Sequence, residues 1–501
     1  MTTTDRTGLV QEAAGAAPPA DAVGDWSPQE LEDNGRLLLS QLRDHFEALR
    51  SLPVTTGRSA QEIHALFDQP LPTEPEAFAD ILTQTWRDLR PNLTLWNHPR
   101  FHAYFSNSSS GPAILAEMAT AALNVNVMLW DAAPAAAAVE TTVLGWLADM
   151  LAYPADGDAV LVDGASLATL YALAAAREHL DGLDIRRSGL AGAPVLRIYT
   201  SDQSHSSVDK AAITLGLGLD NVVRIASAAD GTLAPAALDA HIRSDLRAGH
   251  RPLAVVANVG STSTGAIDPI AAIAEVCSRH GVWLHVDAAY GGFWRLADRV
   301  RPHLPDLSPA DSLVANPHKV LLCPMEASAL LCRHPDALTN TFRLVPEYLT
   351  TRHEDGSVDF MNYSLQLGRQ FRALKLWWII KSFGSQGIAQ RLSAAADLAD
   401  QLRKTAANAP GWQVTNPDTP FPLVCLRYAP DGLGPQETDE LNRRIHHRVN
   451  AGRRSFVSHT VTPAGYVIRV SIGNIHTGAE DIDGLWHELT TAAAAEEGSK
   501  R

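Results

Sequence analysis

The sequence predicts an α/β protein: a mostly parallel sheet covered by helices, preceded by a helical segment and followed by a smaller α+β unit. Three observations carry that expectation. From about Trp96 to Phe383, short β-rich runs ("VLRIYTSD", "PLAVVANVG", "VWLHVDAAY", "DSLVAN") alternate with helical stretches. The runs are almost continuously apolar, as strands buried on both faces are. Isolated polar residues stand just past several of them, at the strand ends where sites collect in such sheets.

The elements follow in chain order. Residues 1–26 are rich in Ala, Pro and Gly and read as a flexible tail; they lack the basic region and apolar core of a secretory signal. Order begins with "SPQELEDNGRLLLSQLRDHFEAL", where Ser27 can cap, Pro28 suits the first helical position and Glu30 completes a capping box. Leu31, Leu37, Leu38, Leu42 and Phe46 share one face of that helix. A second helical stretch lies near "PEAFADILTQTWRDL". Two such helices cannot make a core alone, so residues 27–95 are expected to clasp another surface, that of a second subunit. Residues 96–385 form the large domain. Its helices include "DPIAAIAEVCSRHG", with Asp268 read as a cap, and the Ala-rich stretch after Ser166. Residues 386–501 form the small domain, with a helix "IAQRLSAAADLADQLRK", strands "FPLVCLRYA" and "YVIRVSIGN", and a closing helix.

Composition narrows the function. The chain has 501 residues, 46% hydrophobic and 19% charged, with 41 basic against 56 acidic side chains and a net charge of −15. That balance argues against nucleic acid or an anionic membrane as partner. No apolar run reaches the roughly 18 residues of a membrane span. Four cysteines, Cys277, Cys323, Cys332 and Cys425, are too dispersed for a zinc motif or a disulfide scaffold. They read as reduced, buried thiols of a cytoplasmic protein.

The strand ends carry the chemistry. His205 follows "YTSDQS", Ser261 and Thr262 follow "ANVG", Asp287 closes "VWLHVD" and Lys319 follows "DSLVANPH". Each alone has an ordinary reading: a core histidine, a turn-forming Asp, a solvated Lys. Together they fit one cofactor. An uncharged lysine can capture an aldehyde, a carboxylate can keep a pyridine nitrogen protonated, and an imidazole can stack on the ring. The helix start at Ala165 and Ser166 can hold a phosphate. Aldehyde, pyridine and phosphate describe pyridoxal 5'-phosphate.

The motifs "HVDAAYGG", "NPHK", "SDQSHSSV", "HPRFHAYF" and "LGRQFRALKLW" together resemble the group II pyridoxal-phosphate decarboxylases. That family includes the aromatic-L-amino-acid, tyrosine, tryptophan, histidine, glutamate and cysteine-sulfinate decarboxylases. The resemblance runs from about Ser27 to near the C-terminus and is weakest after about Gln401. It implies a fold-type I pyridoxal-phosphate-dependent transferase-like architecture and a homodimer with shared active sites, residues 27–95 being the swapped segment. Lys319 then matches the lysine that binds the cofactor aldehyde, and His318 is its usual neighbour. Asp287 matches the partner of the pyridine nitrogen, Ala289 packs on one face of the ring and His205 stacks on the other. Ala165, Ser166 and Asn316 match phosphate-binding positions, and Thr262 a cofactor-contacting hydroxyl. "RLVPEYLTTRHEDGSVDF" resembles the catalytic loop, whose Tyr348 matches the residue that protonates the α-carbon after CO2 leaves.

The same resemblance places Trp96, Tyr104, Phe105 and Asn107 around the substrate side chain, with Asn126 and Met128 reaching it from the partner subunit. Trp96, Tyr104 and Phe105 fit an aromatic or bulky apolar amino acid. Met128 keeps an aliphatic substrate of the leucine or valine type open. No arginine stands out for an acidic side chain, Arg100 being unsupported. The expected activity is decarboxylation of an L-amino acid to its amine. The alternative is an oxidative relative that makes aldehydes, an outcome that often accompanies Phe at the loop tyrosine. An aminotransferase fits the "HPRFHAYF" and "PEYL" stretches less well. A catalytically silent interaction protein would need none of Lys319, Asp287, His205 and Tyr348.

Overall fold

The computed structural model describes residues 25–105, 108–344 and 356–498. Asn107 and Tyr348 lie outside the described residues, as do most of the N-terminal tail and the centre of the predicted catalytic loop. The chain divides into two compact units, one ending at Thr94 and the other beginning at Leu95.

The first unit is helical. Its opening helix, Pro28–Ala48, starts as the sequence dictates: Ser27 Oγ accepts from the Glu30 N–H, and the Glu30 carboxylate accepts from the Ser27 N–H. No residue of this helix is buried, and Leu31 and Leu37 are exposed although the sequence places them on its apolar face. Two shorter helices follow, Ala60–Phe67 and Phe78–Gln84. The first of these has its own capping box between Ser59 and Glu62, which the sequence reading passed over.

The second unit holds two sheets among its described residues. The strands, in chain order, are β1 (Phe101–His102), β2 (Ala159–Val162), β3 (Leu196–Ser201), β4 (Val222–Ile225), β5 (Arg251–Asn258), β6 (Trp283–Asp287), β7 (Ser312–Ala315), β8 (Ser328–Cys332), β9 (Trp412–Val414), β10 (Leu423–Tyr428), β11 (Phe456–Thr462) and β12 (Gly465–Ser471). The seven-stranded sheet has the order β2-β8-β7-β6-β5-β3-β4. The pairings among β7, β6, β5, β3 and β4 are parallel, and β8 runs antiparallel to both its neighbours. Four of those five parallel strands carry the apolar runs read from the sequence. The five-stranded sheet has the order β1-β11-β12-β10-β9; it is antiparallel except for the short parallel pairing of β1 with β11. A long helix, Ala373–Ala407, connects the two sheets and is kinked at Gly384, whose φ of 63° is cheap only for glycine. Among the described residues, no helix is long and apolar enough to cross a membrane.

One expected cap is corrected. Asp268 does not cap the helix Ile270–His280, which has no side-chain cap. Its buried carboxylate instead accepts from the Leu233 N–H (2.7 Å), the Asn258 N–H (2.7 Å) and Asn258 Nδ2 (3.1 Å), tying the end of β5 to the chain around it. A carboxylate that reaches three donors inside the fold has more to gain there than at a helix start.

At β2, the edge strand of the large sheet, the fold also encloses an ion pair. Glu140 and Arg369 are almost entirely buried and meet at 2.6 Å. Arg369 also donates to the carbonyls of Val127 and Leu161 (both 3.0 Å), while Glu140 accepts from the Leu161 N–H (3.2 Å). The pair thereby joins a helix, β2 and the segment before the kinked helix. Removing one partner strands the other's charge without water. Glu140→Ala is therefore expected to lose roughly 3–5 kcal/mol of stability, read from urea unfolding; a loss below about 1 kcal/mol would mean that Arg369 finds water or another partner.

Candidate active site

The site forms where the parallel strands end. β5 and β6 run side by side with Asn258 opposite Asp287, and the Asp287 carbonyl accepts from the Val259 N–H at 2.9 Å. The Asp287 carboxylate turns back to accept from the Ala289 N–H at 3.0 Å. This fixes the carboxylate at the strand end, while Ala289 itself is buried. The following "YGG" turn packs closely under β5: a Cβ on Gly291 would lie 2.1 Å from the Val259 carbonyl oxygen. Only glycine fits there, and the turn carries Tyr290 into the core.

β7 delivers the lysine. After Ala315 the chain enters a single helical turn, Pro317–Val320, in which the Lys319 N–H donates to the Asn316 carbonyl at 3.1 Å. His318 is held from the residue just before β8, since its Nδ1 accepts from the Ala327 N–H at 3.2 Å. Burial, with the nearby Lys319 charge adding to it, lowers the His318 pKa to about 4, so this imidazole is neutral. The apolar run Val320–Leu322 after Lys319 is buried.

Lys319 keeps some exposure through a cavity, while protein closes around its amine. Loss of water lowers its pKa below the ordinary lysine range; Asp287 opposes that shift and Arg469 adds to it. The amine lies 4.7 Å from the centre of the Phe105 ring. His205 stands exposed at the rim. Its Nδ1 accepts from the Ser207 N–H at 3.1 Å, which leaves Nε2 as the protonated nitrogen of a neutral ring. Partial desolvation lowers its pKa, with Asp287 opposing and Lys319 adding.

These groups open on a cavity of about 530 Å³ lined by Trp96, Tyr104, Phe105, His205, Thr262, His318 and Lys319, among others. Ala165 and Ser166 occupy the first turn of the helix Ala165–Glu178, which follows β2 of the same sheet. Asn316 Oδ1 is buried without a hydrogen-bond partner. Asn126 and Met128 do not line this chain's own cavity. Asn126 Oδ1 instead accepts from the Arg369 N–H at 2.8 Å, and its Nδ2 lies 3.3 Å from Met128 Sδ.

Arg469 is the residue that sequence reasoning missed. It lies on β12, only 4% exposed, and lines the same cavity. Its guanidinium carbon is 4.5 Å from the Phe105 ring centre, it donates to the Tyr104 carbonyl, and its Nε and Nη2 have no hydrogen-bond partner. The only signal was a cation inside the apolar alternation "YVIRVS".

The donor set fits pyridoxal 5'-phosphate. An amine with a lowered pKa suits aldehyde capture, a half-buried carboxylate suits a pyridinium, and helix-start N–H groups suit a phosphate.

Comparison with known proteins bears on the same point. The pyridoxal-dependent decarboxylase conserved domain matches residues 60–429. The phenylacetaldehyde synthase of Arabidopsis thaliana is 31% identical over 93% of this chain and 96% of its own length. Tyrosine decarboxylase 4 of Petroselinum crispum is 31% identical over 93% of this chain and 94% of its own. The crystal structure of Oryza sativa TDC with PLP and tryptamine superposes with a TM-score of 0.90 at 28% identity, covering 95% of this chain and 99% of that one. Strand-end geometry, cavity chemistry and relatives thus agree, and the chain belongs to the pyridoxal-dependent decarboxylase family: it is a fold-type I enzyme that uses pyridoxal 5'-phosphate to decarboxylate amino acids.

Proposed function

We propose that this enzyme converts an aromatic L-amino acid to its amine and CO2, working as a homodimer in the cytoplasm. The observation that carries the substrate class is the aromatic wall of the cavity beside Lys319. Trp96 stacks on Tyr104 at 5.7 Å and packs on Phe101 at 4.5 Å, and Phe105 stacks on Tyr290 at 4.0 Å. Flat apolar surfaces of this kind suit a ring. Relatives named for tyrosine, tryptophan and phenylacetaldehyde support the same class.

Each residue then has a task. Lys319 would hold the cofactor and Asp287 would serve its ring nitrogen. His205 and Ala289 would pack against the ring. Ala165, Ser166 and Asn316 would hold the phosphate, and Thr262 would offer a hydroxyl. Pyridoxal 5'-phosphate supplies an electron-withdrawing ring that accepts the electron pair released when CO2 leaves. The protein decides which bond breaks by orienting the substrate. Arg469, with two unsatisfied nitrogens, is placed to bind the α-carboxylate, and the aromatic wall fixes the side chain. Tyr348, which the family motif places on the catalytic loop, is assigned as the acid that protonates the α-carbon, and closure of that loop would exclude water.

The dimer reading rests on two observations. The helix Pro28–Ala48 buries none of its leucines, and Asn126 and Met128 lie off the chain's own cavity. Four buried cysteines with no disulfide are in keeping with a reducing compartment.

Incubating the holoenzyme with pooled L-amino acids is expected to release CO2 and one or more aromatic amines. Turnover confined to leucine, valine or glutamate would overturn the substrate class. Tyr348→Phe is expected to cut amine formation at least about tenfold, as general-acid loss does, while aldehyde, ammonia and peroxide appear and oxygen is consumed. Unchanged amine yield at a higher KM would show that Tyr348 only packs the loop. Hybrid dimers that pair a Lys319→Ala subunit with a Tyr348→Phe subunit should regain decarboxylation, because one of the two shared sites stays intact. Inactive hybrids would show each site to be built within one chain.

A further inference from the structure

Two cations share one ring in this site. The Lys319 amine is 4.7 Å and the Arg469 guanidinium carbon 4.5 Å from the Phe105 centroid, both within the range of cation–π attraction. Tyr290 stacks on Phe105 at 4.0 Å and 27°, and Tyr290 is itself buried, so the Phe105 ring is backed by the core.

Arg469 has no carboxylate partner among the described residues. Its hydrogen bonds go to the Tyr104 carbonyl and, at 3.4 Å, to Ser458 Oγ. An aromatic face attracts a cation but does not cancel its charge. The neighbouring amine therefore feels an uncompensated guanidinium through a medium poor in water. Of the two groups, only the lysine can readily lose its proton, since arginine stays charged at all ordinary pH values. Loss of water acts most strongly on Lys319; Asp287 attracts the ammonium and outweighs the repulsion from Arg469, so Arg469 offsets part of that attraction while burial keeps His318 neutral.

We propose that Phe105 and Arg469 form a seat that presents Lys319 as an uncharged amine, with Phe105 fixing the two groups side by side and Arg469 supplying the repelling charge. Phe105 thus acts as a positioning residue in addition to walling the substrate. The inference rests on Lys319 being the amine that captures the cofactor. Its test needs neither substrate nor turnover, so its failure would leave the decarboxylase reading standing.

The full-length protein stripped of cofactor is treated with trace acetic anhydride from pH 6 to 10.5. Acetylation of the Lys319 peptide is then quantified by mass spectrometry. In the native protein the reaction should be half-maximal below the ordinary lysine value of about 10.4. Arg469→Gln should move that midpoint up by about one pH unit, with about tenfold less labelling at neutral pH. Arg469→Lys, which keeps the charge, should restore most of the native midpoint. In a Phe105→Leu background, the effect of Arg469→Gln should shrink to less than half. Melting temperatures verify folding, and Arg469→Met replaces the Gln variant if that one unfolds. No shift in the uncharged variant, equal shifts for Gln and Lys, or an undiminished effect without Phe105 would each overturn the proposal.

Discussion

Keeping water from the Lys319 amine is the constraint on which the rest of the site depends. An ammonium ion is strongly hydrated, and enclosing it favours the neutral form. Most lysines avoid that situation by reaching out to solvent. Lys319 cannot, because the single helical turn Pro317–Val320 is pinned between β7 and β8 and the run after it is buried. The amine is left facing Phe105 and a cavity whose walls come from both sheets. What would be a cost in a structural residue becomes chemical readiness here.

The parallel sheet makes this arrangement possible. Strands that run the same way end at the same edge, so residues more than a hundred positions apart arrive together. His205 follows β3, Thr262 follows β5, Asp287 ends β6 and Lys319 follows β7. The second sheet closes the cavity from the other side with Arg469 on β12 and Ser458 on β11. Each contribution is small, and each is fixed by backbone contacts that the local sequence enforces, such as the Ala289 N–H on Asp287 and the Ala327 N–H on His318.

Much of this was legible in the sequence, for a physical reason. A buried parallel strand is an uninterrupted apolar run, so a polar residue just past it stands out and its location is known. That logic singled out His205, Ser261, Thr262, Asp287 and Lys319, of which His205, Thr262 and Lys319 line the cavity, while Asn316 came from the family motif. It failed where pattern does not determine partner. β8 reads like any other apolar run, yet pairs antiparallel with β2 and β7. β11 ("FVSHTVT") carries too many polar residues to be recognised as a strand, because on the side away from β12 it is flanked by just the two-residue β1. Asp268 has the sequence context of a helix cap, but three donors drawn from 10 and 35 residues away outcompete that role. The sequence pattern gives Arg469 no role, and only the tertiary fold brings it beside Phe105. Tyr348 and Asn107 rest on the family motif alone.

The central claim is that one buried amine holds the cofactor. Reduction of the freshly purified holoenzyme with borohydride, followed by digestion and peptide mass spectrometry, tests it most directly. A lysine joined to the cofactor becomes permanently tagged, whatever the substrate and however fast the turnover. The account predicts a single pyridoxyl-labelled peptide, with the label on Lys319 in "NPHKVLL". A label on any other lysine, or holoenzyme that carries cofactor yet yields no labelled peptide, would contradict it.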